Sequence, residues 1–267
     1  MSNYTVRTRK DLRDRLKSYK STCHPVQKHR AASLQFLEDM YWLAIKEFES
    51  RSSTRIASKR DLWSELSNYN KDATSGVAGK FITKKIRAVL EEAQHGKCCY
   101  CRTPLLGTAH AKPIEHILPR KHFVQYTFHF FNLAVACYRC NDIKSATSWA
   151  HSSKSGKKHY PRPESFVEMF HPSFHYYEEH IIFDRKQNNT NHSVTFLGVT
   201  DQGKSLCLNL LSHVAAREML LTNNISLAES IAEIKSVSDH ARASCRDELE
   251  QFEKALATSL NFTTASV

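Results

Sequence analysis

The chain has 267 residues, 41% of them hydrophobic, with only seven Gly and seven Pro, which excludes a globally disordered polymer and provides enough length for a real core. No apolar run approaches the ~18 residues of a membrane span, and the opening MSNYTVRTRKDLRDRLK has no apolar stretch of a secretory leader, so a soluble, cytoplasmic protein is expected. A formal net charge of +11 points to polyanionic partners, nucleic acid above all, and says nothing about catalysis.

The first ninety-odd residues read as helical. Leu34, Leu37, Tyr41, Ala44 and Phe48 recur at three- and four-residue steps, the stripe of an amphipathic helix. SKRDLWSEL opens another, with Ser58 and Asp61 in capping-box spacing. A third carries Ile82, Ile86, Val89 and Ala93 and stops near Gly96, a suitable C′ residue. Residues 1–94 are accordingly assigned to an N-terminal helical region.

Residues 95–150 form a Cys/His/Asn-rich unit. Eight cysteines in a chain expected in the cytosol argue against a disulfide framework. Four of them make two Cys-x-x-Cys knuckles, Cys98 with Cys101 and Cys137 with Cys140, which is the pattern of a tetrahedral structural zinc site. Cys98 fits the knuckle spacing and Cys99 does not. Cys23, Cys207 and Cys245 are scattered, and Cys245 falls on the apolar face of a C-terminal helix. Between the knuckles, IEHILP reads as a short strand turning at Pro119, NLAVA as a second strand, and NDIKSATSW as a helix with Asn141 at its start. Neighbouring side chains of a strand face opposite sides, so Glu115 and His116 reach one site only if the strand bends. The aromatics of FVQYTFHFF read as a small core beneath this ββα unit, base stacking being the other use such rings have.

The EH pair, the asparagine of NLAVAC and the CxxCNxxK run resemble, in order and spacing, the HNH (His-Me finger) endonuclease family. That resemblance covers about fifty residues. It implies that His116 is a general base, that Asn132 holds its imidazole in position, and that Glu115 and Asn141 ligate one catalytic Mg2+ or Mn2+. Lys144 would lie near a phosphate, with Arg139, Arg120 and Lys121, and with Lys157, Lys158 and Arg162 in the following loop. Imidazole chemistry suits this role, its ordinary pKa lying near ~6.5. Two departures are Glu115, where many relatives carry Asp or His, and Asn141 where the last His of the name stands.

Residues 151–267 begin with a polar, Pro-punctuated loop, continue through a hairpin of HIIFDR and HSVTFLGV, and return to a helix carrying Leu227, Ile231, Ile234, Ala241, Cys245, Phe252 and Leu256. GVTDQGKS, Gly198 to Ser205, matches a P-loop. No strand or acidic metal ligand follows it, so it reads as a polar strand-to-helix turn. FHPSFHYYEEHIIF and GVTDQGKSLCLNLL are similar to the C-terminal part of HNH proteins in Septu-type and retron-linked anti-phage systems, which implies a separate ABC or SMC-like ATPase partner docked on the helical arms. The fold class expected is mainly α, with a central zinc-stapled ββα-metal unit, α+β as a whole. The function expected is endonuclease; the alternative is a non-catalytic zinc module that binds nucleic acid or protein. The nucleic acid expected is DNA, with RNA as the alternative.

Overall fold

The computed structural model describes residues 5–54, 60–70, 72, 74–105, 112–145, 156–188 and 192–223. They fall into two compact units, Met1–Tyr177 and Glu178–Val267. The expected N-terminal helices and the Cys-rich stretch lie together in the first.

Helix α1 (Arg9–Thr22) starts at a full capping box, Thr8 Oγ1 accepting from Asp11 N and Asp11 accepting from Thr8 N. Helix α2 (Arg30–Thr54) buries Ser33, Met40, Ala44 and Ile45. The stripe expected from Leu34 to Phe48 is turned slightly, so Leu37, Tyr41 and Phe48 are half-buried beside these residues. Helix α3 (Leu62–Ser67) begins later than the sequence suggests. Asp61 is its N-cap, accepting from Ser64 N at 3.1 Å, rather than the third residue of a helix capped by Ser58. Ser58 itself lies outside the described residues.

Helix α4 (Gly79–Ala93) buries Ile82, Ile86, Val89 and Leu90, the face its spacing predicts. A Cβ at Gly79 would collide with the Leu66 carbonyl, so only glycine lets α4 start against the end of α3. The helix stops at Gln94, followed by left-handed His95 (φ 54°) and Gly96 (φ 65°), one position beyond C′.

Strands β1 (Ile114–His116) and β2 (Leu133–Val135) pair antiparallel, with Glu115 opposite Ala134 and His116 opposite Leu133. Helix α5 (Tyr138–Lys144) follows, capped by Cys137. It starts three residues earlier than expected, so Asn141 is its fourth residue. Two three-residue strands are too short to persist alone. Gln94 reinforces them: its Oε1 accepts from Val135 N and its Nε2 donates to Val135 O, both at 2.8 Å, satisfying the edge of β2 as another strand would. Phe123, Val124, Tyr126 and Phe128 are buried, so the aromatic run is core. Arg87 Nε donates to Lys112 O at 2.8 Å and Lys112 pairs with Glu91 at 3.2 Å, which fastens α4 to the strand that carries His116.

The second unit contains the expected hairpin. After α6 (Tyr177–His180), β3 (Ile181–Gln187) pairs with β4 (His192–Gly198) in a register running from Ile181↔Gly198 to Gln187↔His192. Helix α7 (Asp201–Leu206), a π-helical turn (Cys207–Leu211) and α8 (Ser212–Asn223) complete what is described. Thr200 caps α7, accepting from Gly203 N at 3.1 Å. The P-loop-like residues from Asp201 onward are therefore helix, with no loop left to wrap a phosphate. Cβ atoms at Gly198 and Gly203 would strike the Gly203–Lys204 backbone and the His180 carbonyl, so close packing accounts for both glycines. The helix expected from Leu227 to Leu256 lies outside the described residues. No described helix is long and apolar enough to cross a membrane.

Candidate active site and metal centre

The Sγ atoms of Cys98, Cys101, Cys137 and Cys140 lie within 4.8 Å of one another. The 3.7 Å between Cys101 and Cys137 is far beyond a disulfide bond and close to the about 3.8 Å between sulfurs of a tetrahedral site with Zn–S near 2.3 Å. The first knuckle is a tight hairpin: Cys98 N donates to Thr103 O at 2.9 Å, Arg102 N to Cys98 O at 3.2 Å, and Arg102 takes φ 60°. The second knuckle is the start of α5. Cys137 Sγ accepts from Cys140 N at 3.4 Å, and Cys98 Sγ accepts from Cys137 N at 3.2 Å. Backbone N–H donors aimed at sulfur favour the thiolate that metals require. The four cysteines could hold a metal ion such as zinc. Cys99 stands apart, its N–H on Val135 O at 3.0 Å and its thiol pushed up by burial.

Beside this centre lies a cleft of about 770 Å³ lined by Glu115, His116, Arg120, Lys121 and Asn141, among others. His116 ends β1, and the chain bends immediately after it. Its ring meets Trp63 edge-on at 4.8 Å, and Nε2 lies 3.1 Å from Thr127 O. Burial, helped by the nearby Arg120, pushes the imidazole pKa down to about 3, so the ring is neutral at neutral pH. A neutral ring that donates from Nε2 carries its lone pair on Nδ1. Nδ1 meets no hydrogen-bond partner among the described residues.

The Asn132 side chain makes no hydrogen bond to His116. Its Oδ1 accepts from Leu118 N (2.8 Å) and Tyr160 Oη (3.1 Å), while its Nδ2 donates to Leu118 O and Tyr126 O (both 3.1 Å). Leu118 is two residues past His116, and Tyr126 precedes the Thr127 whose carbonyl receives Nε2. Asn132 thus fixes both ends of the loop that grips the ring. Tyr160, which no sequence motif marks, extends the chain to His171 Nε2 at 2.7 Å. His171 Nδ1 accepts from Ser173 N, so the proton on Nε2 goes to Tyr160 and the Tyr160 proton to Asn132.

Glu115 is buried and its carboxylate Oε1 pairs with Lys144 Nζ, the Tyr100 hydroxyl lying close by. Burial raises the carboxyl pKa against the pull of Lys144. The same ammonium donates to His116 O at 3.1 Å. This corrects the expectation that Lys144 meets phosphate: it is 1% exposed and already spent on a carboxylate and a carbonyl. Arg139 lies on α5 and is not among the residues lining the cleft, whereas Arg120 and Lys121 are. Lys158 pairs with Glu49. The cleft also has a wall that the motifs do not reveal, from Arg51, Arg60, Asp61 and Trp63.

Comparison with protein-family models, curated proteins and solved structures found no match.

Lys144→Met, which keeps the side chain's bulk, leaves the Glu115 carboxylate buried without a counter-charge. Urea denaturation should show a loss of about 3–5 kcal/mol, largely recovered by adding Glu115→Gln. An unchanged midpoint in the single variant would show that the pair does not hold the site together.

Proposed function

We propose that this chain is a metal-dependent endonuclease of the HNH type, hydrolysing phosphodiester bonds of nucleic acid. The observation that supports it most is the shared cleft. His116, Glu115 and Asn141 line one space at the end of a β1–β2–α5 unit, next to a four-cysteine cluster. In this reading Nδ1 of His116 takes a proton from water, the water oxygen bonds to phosphorus, and the P–O3′ bond breaks, the 3′ oxygen taking a proton from solvent. The negative phosphodiester raises the basicity of the ring when it arrives. Glu115 lines the cleft although it is paired with Lys144, and no side-chain hydrogen bond occupies the Asn141 amide among the described residues, so these two would supply the oxygens for a hard cation. Magnesium or manganese held there would stabilise charge on the phosphoryl and leaving oxygens.

The cysteine cluster is proposed as structural zinc. Cys137→Ser should release zinc, measured by elemental analysis, and lower the melting temperature sharply. A folded, zinc-replete variant would rule the assignment out.

The buried Glu115–Lys144 pair favours a second reading, a non-catalytic zinc module contacting nucleic acid or protein, in which Glu115 serves only the core. Cleavage decides between them. With magnesium or manganese, wild type should cut supercoiled plasmid or total RNA, and His116→Ala should be slower by about 10²–10⁴-fold with its zinc retained. Absence of cutting by wild type, with or without the partner below, would leave the zinc module.

The likeness of the segments around Gly198 extends the proposal to an anti-phage nuclease acting with a separate ABC or SMC-like ATPase. Co-expressed with an ABC or SMC-like ATPase from the same organism, the chain should copurify as a complex; separate elution at micromolar concentration would remove this part of the reading.

A further inference from the structure

Three arginines line the cleft, and each already holds a carboxylate: Arg51 with Glu47 at 2.9 Å, Arg60 with Glu65 at 2.7 Å, and Arg120 with Asp61. The first two pairs are local in sequence. The third joins residues 59 positions apart and draws the N-terminal segment across the cleft beside His116. Asp61 is itself a lining residue, so an acidic group stands where a phosphodiester substrate has to pass.

We propose that Arg120 forms an anion subsite which Asp61 fills in the free protein, and which a phosphodiester of the nucleic-acid backbone takes over on binding. The proposal rests on the nucleic-acid partner in the reading above. The pair is suited to exchange. Its side chains are 40% and 43% exposed, the range in which an ion pair contributes little net stability and yields to a competing anion. A phosphate offers guanidinium the same two-oxygen geometry as a carboxylate, with charge spread over further oxygens. Only one partner is free to move. Asp61 also caps α3 through Ser64 N (3.1 Å) and Ser64 Oγ (2.9 Å), whereas Arg120 is a long side chain at the cleft mouth, followed by the exposed Lys121. Arg120 swings to the phosphate while Asp61 stays as the cap, repelling an anion that Arg120 has not captured. Arg120 pulls the Asp61 carboxyl well below the usual range, so this negative charge persists throughout the physiological range.

The test is equilibrium binding of a fluorescein-labelled duplex and a single strand of the same length, by anisotropy at low salt without added magnesium or manganese. Asparagine caps a helix as well as aspartate does, so Asp61→Asn removes the charge and keeps α3, which an unchanged melting temperature verifies. Asp61→Asn should bind about two- to fivefold tighter, the worth of a half-exposed pair. Arg120→Ala should bind more weakly than wild type, and Asp61→Asn in the Arg120→Ala background should tighten binding clearly less than it does in wild type, since only the carboxylate's own repulsion is left to remove. Equal affinity of Asp61→Asn and wild type overturns the subsite while leaving the nuclease reading standing. So does the same tightening in both backgrounds, which is only a net-charge effect. No binding by wild type to either probe overturns the subsite and the nucleic-acid reading together.

Discussion

The first unit depends on the approach of two cysteine pairs across a long stretch of chain. Cys101 and Cys137 are 36 residues apart, and closing such a loop has an entropic cost that two three-residue strands do not offset. What closes it is the cluster of four sulfurs, helped by the Gln94 amide on the edge of β2. The consequences run outward along α5. Cys140 and Lys144 are four residues apart and share the buried face of that helix. Fixing Cys140 against the other knuckle carries Lys144 inward to Glu115 and turns the adjacent Asn141 to the cleft. One constraint thus sets a buried ion pair and a cleft-lining amide at once.

The polar interior above that helix is closely accounted for. Asn132 is fully buried and uses its whole amide: two acceptor contacts at Oδ1 and two donor contacts at Nδ2. Nothing remains for a direct bond to His116, and none is needed. By holding Leu118 and Tyr126, Asn132 fixes the strand end that carries the ring and the carbonyl that orients it. Trp63 packs against the ring in a T-shaped contact, so the imidazole is held by packing and by one hydrogen bond. This order is purchased with desolvation, which drives the imidazole toward its neutral form.

The parts legible in the sequence were those encoded over short distances. Knuckle spacing identified the four clustered cysteines, and excluded Cys99, because two intervening residues set the geometry of a ligand turn. The periodic apolar stripe located α4, and β-branched runs located the β3–β4 hairpin. The burial of Lys144 is not legible in the sequence, because spacing gives a helix phase only relative to an anchor, and the anchor is Cys140 in the folded cluster. Ser58 and Asp61 both suit a cap, and local text could not say which would serve. The glycines of GVTDQGKS spell a phosphate loop, yet a capped helix and a close carbonyl explain them. Trp63, Tyr160 and the place of Asp61 in the cleft have no readable signal. Their partners lie 53, 28 and 59 positions away, and only the folded chain brings them together.

The distribution of charge bears on any role with a polyanion. A surplus of +11 attracts polyanions from a distance, an effect that salt screens within about 10 Å. The cleft itself is different, since all three of its arginines are met by carboxylates from the helices around it. Attraction and local capture are therefore separate in this molecule. The surface gathers anions without selection, while the space next to His116 admits only one able to displace Asp61 from Arg120. A free phosphate has little besides its own charge with which to do this. A polymer already held by neighbouring contacts presents its phosphates at high local concentration, so exchange at Arg120 favours a long backbone over a small anion.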